Sequence, residues 1–273
     1  MSPLVARRTR FVVALLGVSA LTAALWRLLE NSLHPVGIYT GGLLLALVLA
    51  LTLFNARKKL PFLPLGNAAA WLQVHIYVGW FSLVVFLLHL HFRMPHGLLQ
   101  GALAFFFCLV AFSGVFGLYI SRSFPPRMAR SGEPLIYERI PAYRLKIKQT
   151  VEDLIRRAEL ETASSTLGDY YIANLRSFFD HVPAVPSAFL NPDHAAHGIL
   201  AGVTALNRYL NPKEREIARE ISDWIETKQN LDFQYASQRL LKLWLFIHIP
   251  GTYALILLAL VHGYLATIYA GRL

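Results

Sequence analysis

Apolar positions in this chain fall in long unbroken runs, and the alternation of a soluble strand is nowhere to be found. Five runs, residues 11–29, 37–54, 71–91, 98–120 and 240–269, are long enough to cross a hydrocarbon core, which takes about 20 helical residues. The last is overlong and carries Pro250, which predicts a tilt or a kink there. Between the fourth and fifth runs the pattern changes. Val151, Leu154, Ile155 and Ala158 form an apolar stripe beside Glu152, Asp153, Arg156 and Arg157, the signature of an amphipathic helix. Two Leu-Asn-Pro turns, at 190–192 and 210–212, each put Asn in an N-cap position and Pro in the first helical turn. The second predicts a charged helix from Lys213 toward Lys228 with Ile217, Ile221, Trp224 and Ile225 on one face. The fold class expected is an all-α membrane protein: transmembrane helices one to four in residues 1–120, a helical cytoplasmic insertion at 121–239, and a fifth transmembrane helix in 240–273.

Composition agrees with lipid as the solvent. Apolar residues make up 55% of the 273 and charged ones 15%, outside the range of soluble domains. Fifteen of the sixteen acidic residues lie in 121–239, the exception being Glu30, so that stretch is the water-soluble part. A Pro-rich basic segment, 124–141, opens it and is expected to lie along the lipid surface.

Charge then sets orientation. Arg7, Arg8 and Arg10 precede the first span, Arg57, Lys58 and Lys59 follow the second, and Arg122, Arg127, Arg130, Arg139 and Arg144 follow the fourth. All three clusters fall on one side, which the positive-inside rule makes cytoplasmic. The other side has only the connections around 30–36 and 93–97 and a tail at 271–273. The N-terminus and the long loop are therefore expected on the cytoplasmic side, and spans three and five both run from inside to outside. Arg7-Arg8 and Val18-Ser19-Ala20 superficially resemble a leader and its cleavage site; a retained first span is the expectation. This topology and anionic membrane lipid account for most of the net charge of +10. Nucleic acid is not an expected partner, because no basic stripe interleaved with aromatics occurs on a soluble module. The single cysteine, Cys108, excludes an intrachain disulfide, covalent haem attachment through Cys-x-x-Cys-His and a four-cysteine iron–sulfur cluster. It is expected to pack as a small apolar residue.

The histidines carry the chemistry. His75 and His89 stand fourteen residues apart on span three, and His248 and His262 fourteen apart on span five. On a helix that spacing leaves two side chains about 40° apart in azimuth and roughly 21 Å apart along the axis. Each helix thus offers one imidazole near each membrane face. With the two spans parallel, His75 meets His248 and His89 meets His262, which suits two bis-histidine haem irons stacked across the bilayer. Glycines 79, 114, 117, 251 and 263 near these positions fit a flat macrocycle between helices, and equally fit plain helix packing. His91, about 160° from His75 on an ideal helix, is off the ligand stripe. With Arg93 and His96 it is assigned to the outer rim, where cations can meet haem propionates or a quinone headgroup, or serve as an interfacial anchor. Trp71 and Trp244 are expected in the aromatic belt. Asp193, His194 and His197 in the loop lack further ligands at metal-site spacing, and no glycine-rich or dinucleotide motif appears.

This pattern resembles the two-haem transmembrane b-type cytochromes. Ferric reductases and NADPH oxidases carry paired histidines on their third and fifth spans, as His75, His89, His248 and His262 are placed here. The cytochrome b of quinol-oxidising bc complexes has the same spacing on its second and fourth. His248-Ile249-Pro250 and the segment Asp232-Phe233-Gln234-Tyr235-Ala236 also resemble bacterial b-type subunits that accompany other redox proteins. The resemblance covers 71–120 and 240–269 and leaves the insertion out. It implies two non-covalent haem b groups and an electron-transfer role. Because no flavin or nicotinamide motif is visible, the quinone pool or a partner redox protein is the expected source or sink of electrons. The alternatives are a stand-alone haem reductase of ferric chelate or oxygen, and a non-redox transporter or scaffold whose histidines bind metal or protons.

Overall fold

The computed structural model describes residues 3–32, 35–59, 67–130, 135–182, 184 and 194–269. The order of elements is α1 (Pro3–Asn31), α2 (Val36–Lys59), α3 (Ala68–His89), α4 (Leu98–Arg130), a 3-10 turn (Tyr137–Arg139), α5 (Ile140–Thr162), α6 (Thr166–Tyr170), a π turn (Tyr171–Leu175), α7 (Arg176–Asp180), α8 (His194–Leu206) and α9 (Pro212–Tyr269). No strand occurs among the described residues. Five helices, α1, α2, α3, α4 and α9, are long and apolar enough to cross a membrane. The chain separates into two units, Met1–Phe116 with Phe246–Leu273, and Gly117–Leu245.

In the first unit α2 packs along α3, and α1 touches both. Large apolar side chains such as Val13, Leu16, Leu21, Phe112 and Leu257 are exposed on the helices, as a hydrocarbon solvent allows. The inner contacts centre on Val48, Phe86, Phe107 and Leu255, with Cys108 packed against them as the sequence suggests. Phe86 and Phe107 stack at 4.0 Å between centroids. Asn67 caps α3 by accepting from the Ala69 N–H. At its other end α3 stops at His89, two residues short of the expected span. His91 and Phe92 then adopt left-handed backbone (φ 51° and 56°), and the Phe92 N–H closes back on the Leu87 carbonyl. Neither residue is glycine, so this turn is a strained one.

Two helices are longer than their apolar runs. α4 continues to Arg130 through Pro125 and Pro126, inside the segment expected along the lipid surface; each proline there removes a backbone hydrogen bond and crowds the carbonyl of the preceding turn, so the helix runs against local preference. α9 is continuous from Pro212 through Pro250 to Tyr269, so the charged helix and the fifth span are one element. Its start carries the expected N-cap as a reciprocal capping box. The Asn211 side chain accepts from the Glu214 N–H at 2.8 Å, and the Glu214 carboxylate accepts from the Asn211 N–H at 2.9 Å.

The second unit has an apolar core of its own. The α5 stripe Val151, Leu154, Ile155 and Ala158 is buried against Leu167, Leu175 and Phe179 and against Ile217, Ile221 and Ile225 of α9. The 190–192 turn lies outside the described residues. Trp244 packs inward over Gly117, where a methyl group would collide with the indole. Beside the core sits a buried charge cluster. Asp232 pairs with Arg144 at 3.0 Å and with Lys228 at 2.5 Å, and Lys228 also donates to the His181 carbonyl at 3.0 Å. Burial pushes the Asp232 carboxyl up and the Lys228 ammonium down, and their mutual attraction opposes both shifts.

Asp232→Asn leaves two buried cations without their counter-charge and is expected to cost about 3–5 kcal/mol. Unfolding of the full chain in detergent measures it; an unchanged transition contradicts the role given to the cluster.

Candidate functional site: the paired intramembrane histidines

Four histidines lie on α3 and α9 within the first unit, all partly buried. The rings of His89 and His262 are 6.3 Å apart between centroids, with planes at 81°. His75 and His248 lie within electrostatic reach of each other. The pairing is first with first and second with second, so α3 and this part of α9 run the same way. Leu255, seven residues from each α9 histidine, belongs to the Val48–Phe86–Phe107 cluster that fills the interval between the two levels.

Hydrogen bonds on the imidazoles define which nitrogen carries the proton. His75 Nδ1 is 3.1 Å from the Leu51 carbonyl of α2. A carbonyl only accepts, so Nδ1–H donates. His89 Nδ1 is 3.1 Å from Thr40 Oγ1, and that hydroxyl lies 2.8 Å from the Val36 carbonyl. Each short contact needs one hydrogen. Thr40 supplies its only one to Val36, so the second comes from His89 Nδ1–H. The same count applies to His248, whose Nδ1 is 2.7 Å from Ser113 Oγ while Ser113 donates to the Val110 carbonyl at 2.9 Å. For His75 the carbonyl fixes Nδ1–H as the donor; for His89 and His248 the Nδ1–H tautomer is the one that satisfies both contacts at once. This is the arrangement of a metal-ligating histidine, in which the far nitrogen is anchored to an oxygen and the near one is the donor atom.

Glycines flank two of these rings. A Cβ on Gly41 would come 3.0 Å from His89 Cε1, and one on Gly114 would come 3.6 Å from His248 Cε1. Of the other glycines singled out in the sequence, Gly251 packs on Val110 and Leu109, while a methyl group added at Gly79 or Gly263 would meet nothing within 4 Å. Phe54 lies against His75 at 5.2 Å.

Two imidazoles ligating one metal from opposite sides, at about 2.0 Å per bond, have ring centres about 6 Å apart. The His89–His262 separation fits that value. Two imidazoles at this separation, with a hydroxyl oxygen at His89 Nδ1 and side-chain-free backbone beside that ring, would suit a bis-histidine haem. Among the described residues no cluster of three or more His, Cys, Asp or Glu occurs.

His91 does not join the stripe, though for a different reason from the azimuth expected. It lies beyond the end of α3, with Nδ1 donating to the His89 carbonyl at 3.2 Å, Nε2 3.9 Å from Glu30 Oε1, and its ring 5.5 Å from that of Trp26. Arg93 and His96 are exposed on the turn that follows. In the second unit the His181 carbonyl accepts from Arg144 and Lys228, a structural task. His197 is exposed on α8, and Asp193 and the side chain of His194 lie outside what is described. Sequence reasoning misses Thr40, Gly41, Ser113 and the Leu51 carbonyl. A hydroxyl followed by glycine inside an apolar span is the available signal for the first three.

No family model matches the sequence, and no curated protein or solved structure matches it either.

The glycine geometry separates two substitutions of the same kind. Gly41→Ala is expected to lower the unfolding temperature of the detergent-solubilised chain, because His89 must move. Gly79→Ala, with open space and the better helix propensity of alanine, is not. Equal effects of the two contradict this packing.

Proposed function

We propose that this chain is a di-haem cytochrome b subunit that carries electrons between the two faces of a bacterial inner membrane. In this reading His75 and His248 hold the haem nearer the cytoplasmic face, His89 and His262 hold the one nearer the outer face, and residues 121–239 lie on the cytoplasmic side. The bound haems supply one-electron exchange at iron. The chain's own residues do the rest. The four imidazoles would hold the irons, and the Leu51 carbonyl, Thr40 Oγ1 and Ser113 Oγ lie at Nδ1 of three of them. The spans exclude water, so charge at the metal is stabilised by fixed dipoles. Arg93, with His91 and His96, is assigned to the outer rim, where a cation meets a propionate or a quinone headgroup. Electrons enter or leave through the quinone pool or a partner redox protein, and the chain serves as an electron-transfer subunit of an oxidoreductase.

The observation that carries this reading is the register. Two histidine pairs with equal spacing meet in matched order, and the 6.3 Å between the His89 and His262 rings would let both hold one metal. The consistent Nδ1–H tautomer adds to it, because a proton-relay or packing histidine has no need of the same nitrogen outward at three sites.

The test is haem content in single-histidine variants. His75→Ala or His248→Ala is expected to remove one haem and His89→Ala or His262→Ala the other, while His91→Ala retains both. Loss with His91→Ala but not with His89→Ala contradicts the register. A folded, colourless preparation whose function survives His89→Ala and His262→Ala points instead to a transporter or scaffold.

A further inference from the structure

Thr40-Gly41 on α2 and Ser113-Gly114 on α4 repeat one device in two unrelated helices. In each, a hydroxyl gives its hydrogen to a carbonyl of the preceding turn, Val36 at 2.8 Å or Val110 at 2.9 Å, and turns its oxygen to a histidine Nδ1. In each, the next residue is a glycine whose backbone faces Cε1 of the same imidazole; a Cβ would crowd His89 at 3.0 Å and would meet His248 at an ordinary contact distance of 3.6 Å. The Thr40 side chain is buried, and its bond to His89 lies away from water. Other hydroxyls of the spans bond back to their own helix in the same way, Thr52 to the Leu49 carbonyl and Ser82 to the Gly79 carbonyl, without an imidazole on the oxygen. The coincidence of back-bonded hydroxyl, imidazole and glycine therefore singles out 40–41 and 113–114 among the described residues.

We propose that these two hydroxyl–glycine pairs are positioning residues for the two metal levels: Thr40-Gly41 sets the orientation and basicity of His89 at the outer level, and Ser113-Gly114 those of His248 at the inner level. The inference rests on the di-haem reading and deepens it. Its physical basis is that a hydroxyl already committed as a donor can only accept from the ring. An imidazole that donates from Nδ1 is a stronger electron-pair donor at Nε2, which favours the ferric over the ferrous ion. Each level thereby has its own control on potential, contributed by a helix that carries none of the four histidines. At His75 the oxygen at Nδ1 is the backbone carbonyl of Leu51, which no side-chain substitution removes; His89 and His248 have a backbone carbonyl within reach as well, that of Gly37 and of Val110, beside the hydroxyl.

The experiment is a spectroscopic redox titration of the full chain in detergent, comparing wild type with Thr40→Val, Thr40→Ser, Ser113→Ala and Ser113→Thr. Thr40→Val is expected to raise the midpoint potential of one haem alone and Ser113→Ala that of the other alone. The ferric form loses about tenfold in relative stability, or about 59 mV for one electron. Thr40→Ser and Ser113→Thr, which keep the hydroxyl, restore the wild-type values. Selective loss of one haem in the Val or Ala variant, restored by the hydroxyl variant, equally supports the proposal. Two haems with potentials unmoved in both variants overturn it and leave the di-haem reading standing, as does an equal shift of both haems by either variant. A wild-type chain without haem overturns the di-haem reading and this inference with it.

Discussion

A neutral imidazole inside a hydrocarbon slab has one N–H that must find an acceptor and one lone pair that must find a use, and no water is present to serve either. The first unit is arranged around that requirement. His75, His89 and His248 each send Nδ1–H to an oxygen of a neighbouring helix: the Leu51 carbonyl, Thr40 Oγ1 and Ser113 Oγ. Meeting it decides which helices are neighbours. α2 must lie along α3 to answer His75 and His89, and α4 must approach α9 to answer His248, so helices without ligands become essential to the site. An unanswered N–H at that depth costs several kcal/mol, more than most side-chain contacts in the bundle contribute.

Matched order on parallel helices brings the imidazoles together in pairs, and the rings of His89 and His262 stand 6.3 Å apart between centroids. Between the levels lie apolar contacts of Val48, Phe86, Phe107 and Leu255, together with the buried Ser82 midway between His75 and His89.

Much of this is legible from residue pattern. Span number follows from apolar run length, and the reason is general: no other backbone arrangement satisfies itself across lipid except a closed barrel. The fourteen-residue spacing carries the pairing because helix geometry converts it directly into a stripe. Thr40 and Ser113 are not legible as partners. In an apolar helix a hydroxyl nearly always bonds the preceding turn, and these two do so just as Thr52 and Ser82 do, so the hydroxyl alone offers no contrast and only the glycine after it does. The long α9 reads in sequence as a charged helix and a separate span because its apolarity changes near residue 240. Residues 229–239 contain neither glycine nor proline, and nothing there interrupts the backbone. The end of α3 differs in the other direction. His91 continues the apolar run in composition, yet it leaves the helix in a left-handed turn and meets Glu30 and Trp26.

The most direct measurement is the haem content of the purified chain, read from a dithionite-reduced minus oxidised spectrum and counted per polypeptide after extraction. Two non-covalent b-type haems per chain is the result predicted by two matched pairs of imidazoles, three of them anchored through Nδ1. A folded, monodisperse chain that binds no haem contradicts it and would mean that the anchored imidazoles serve some other ligand.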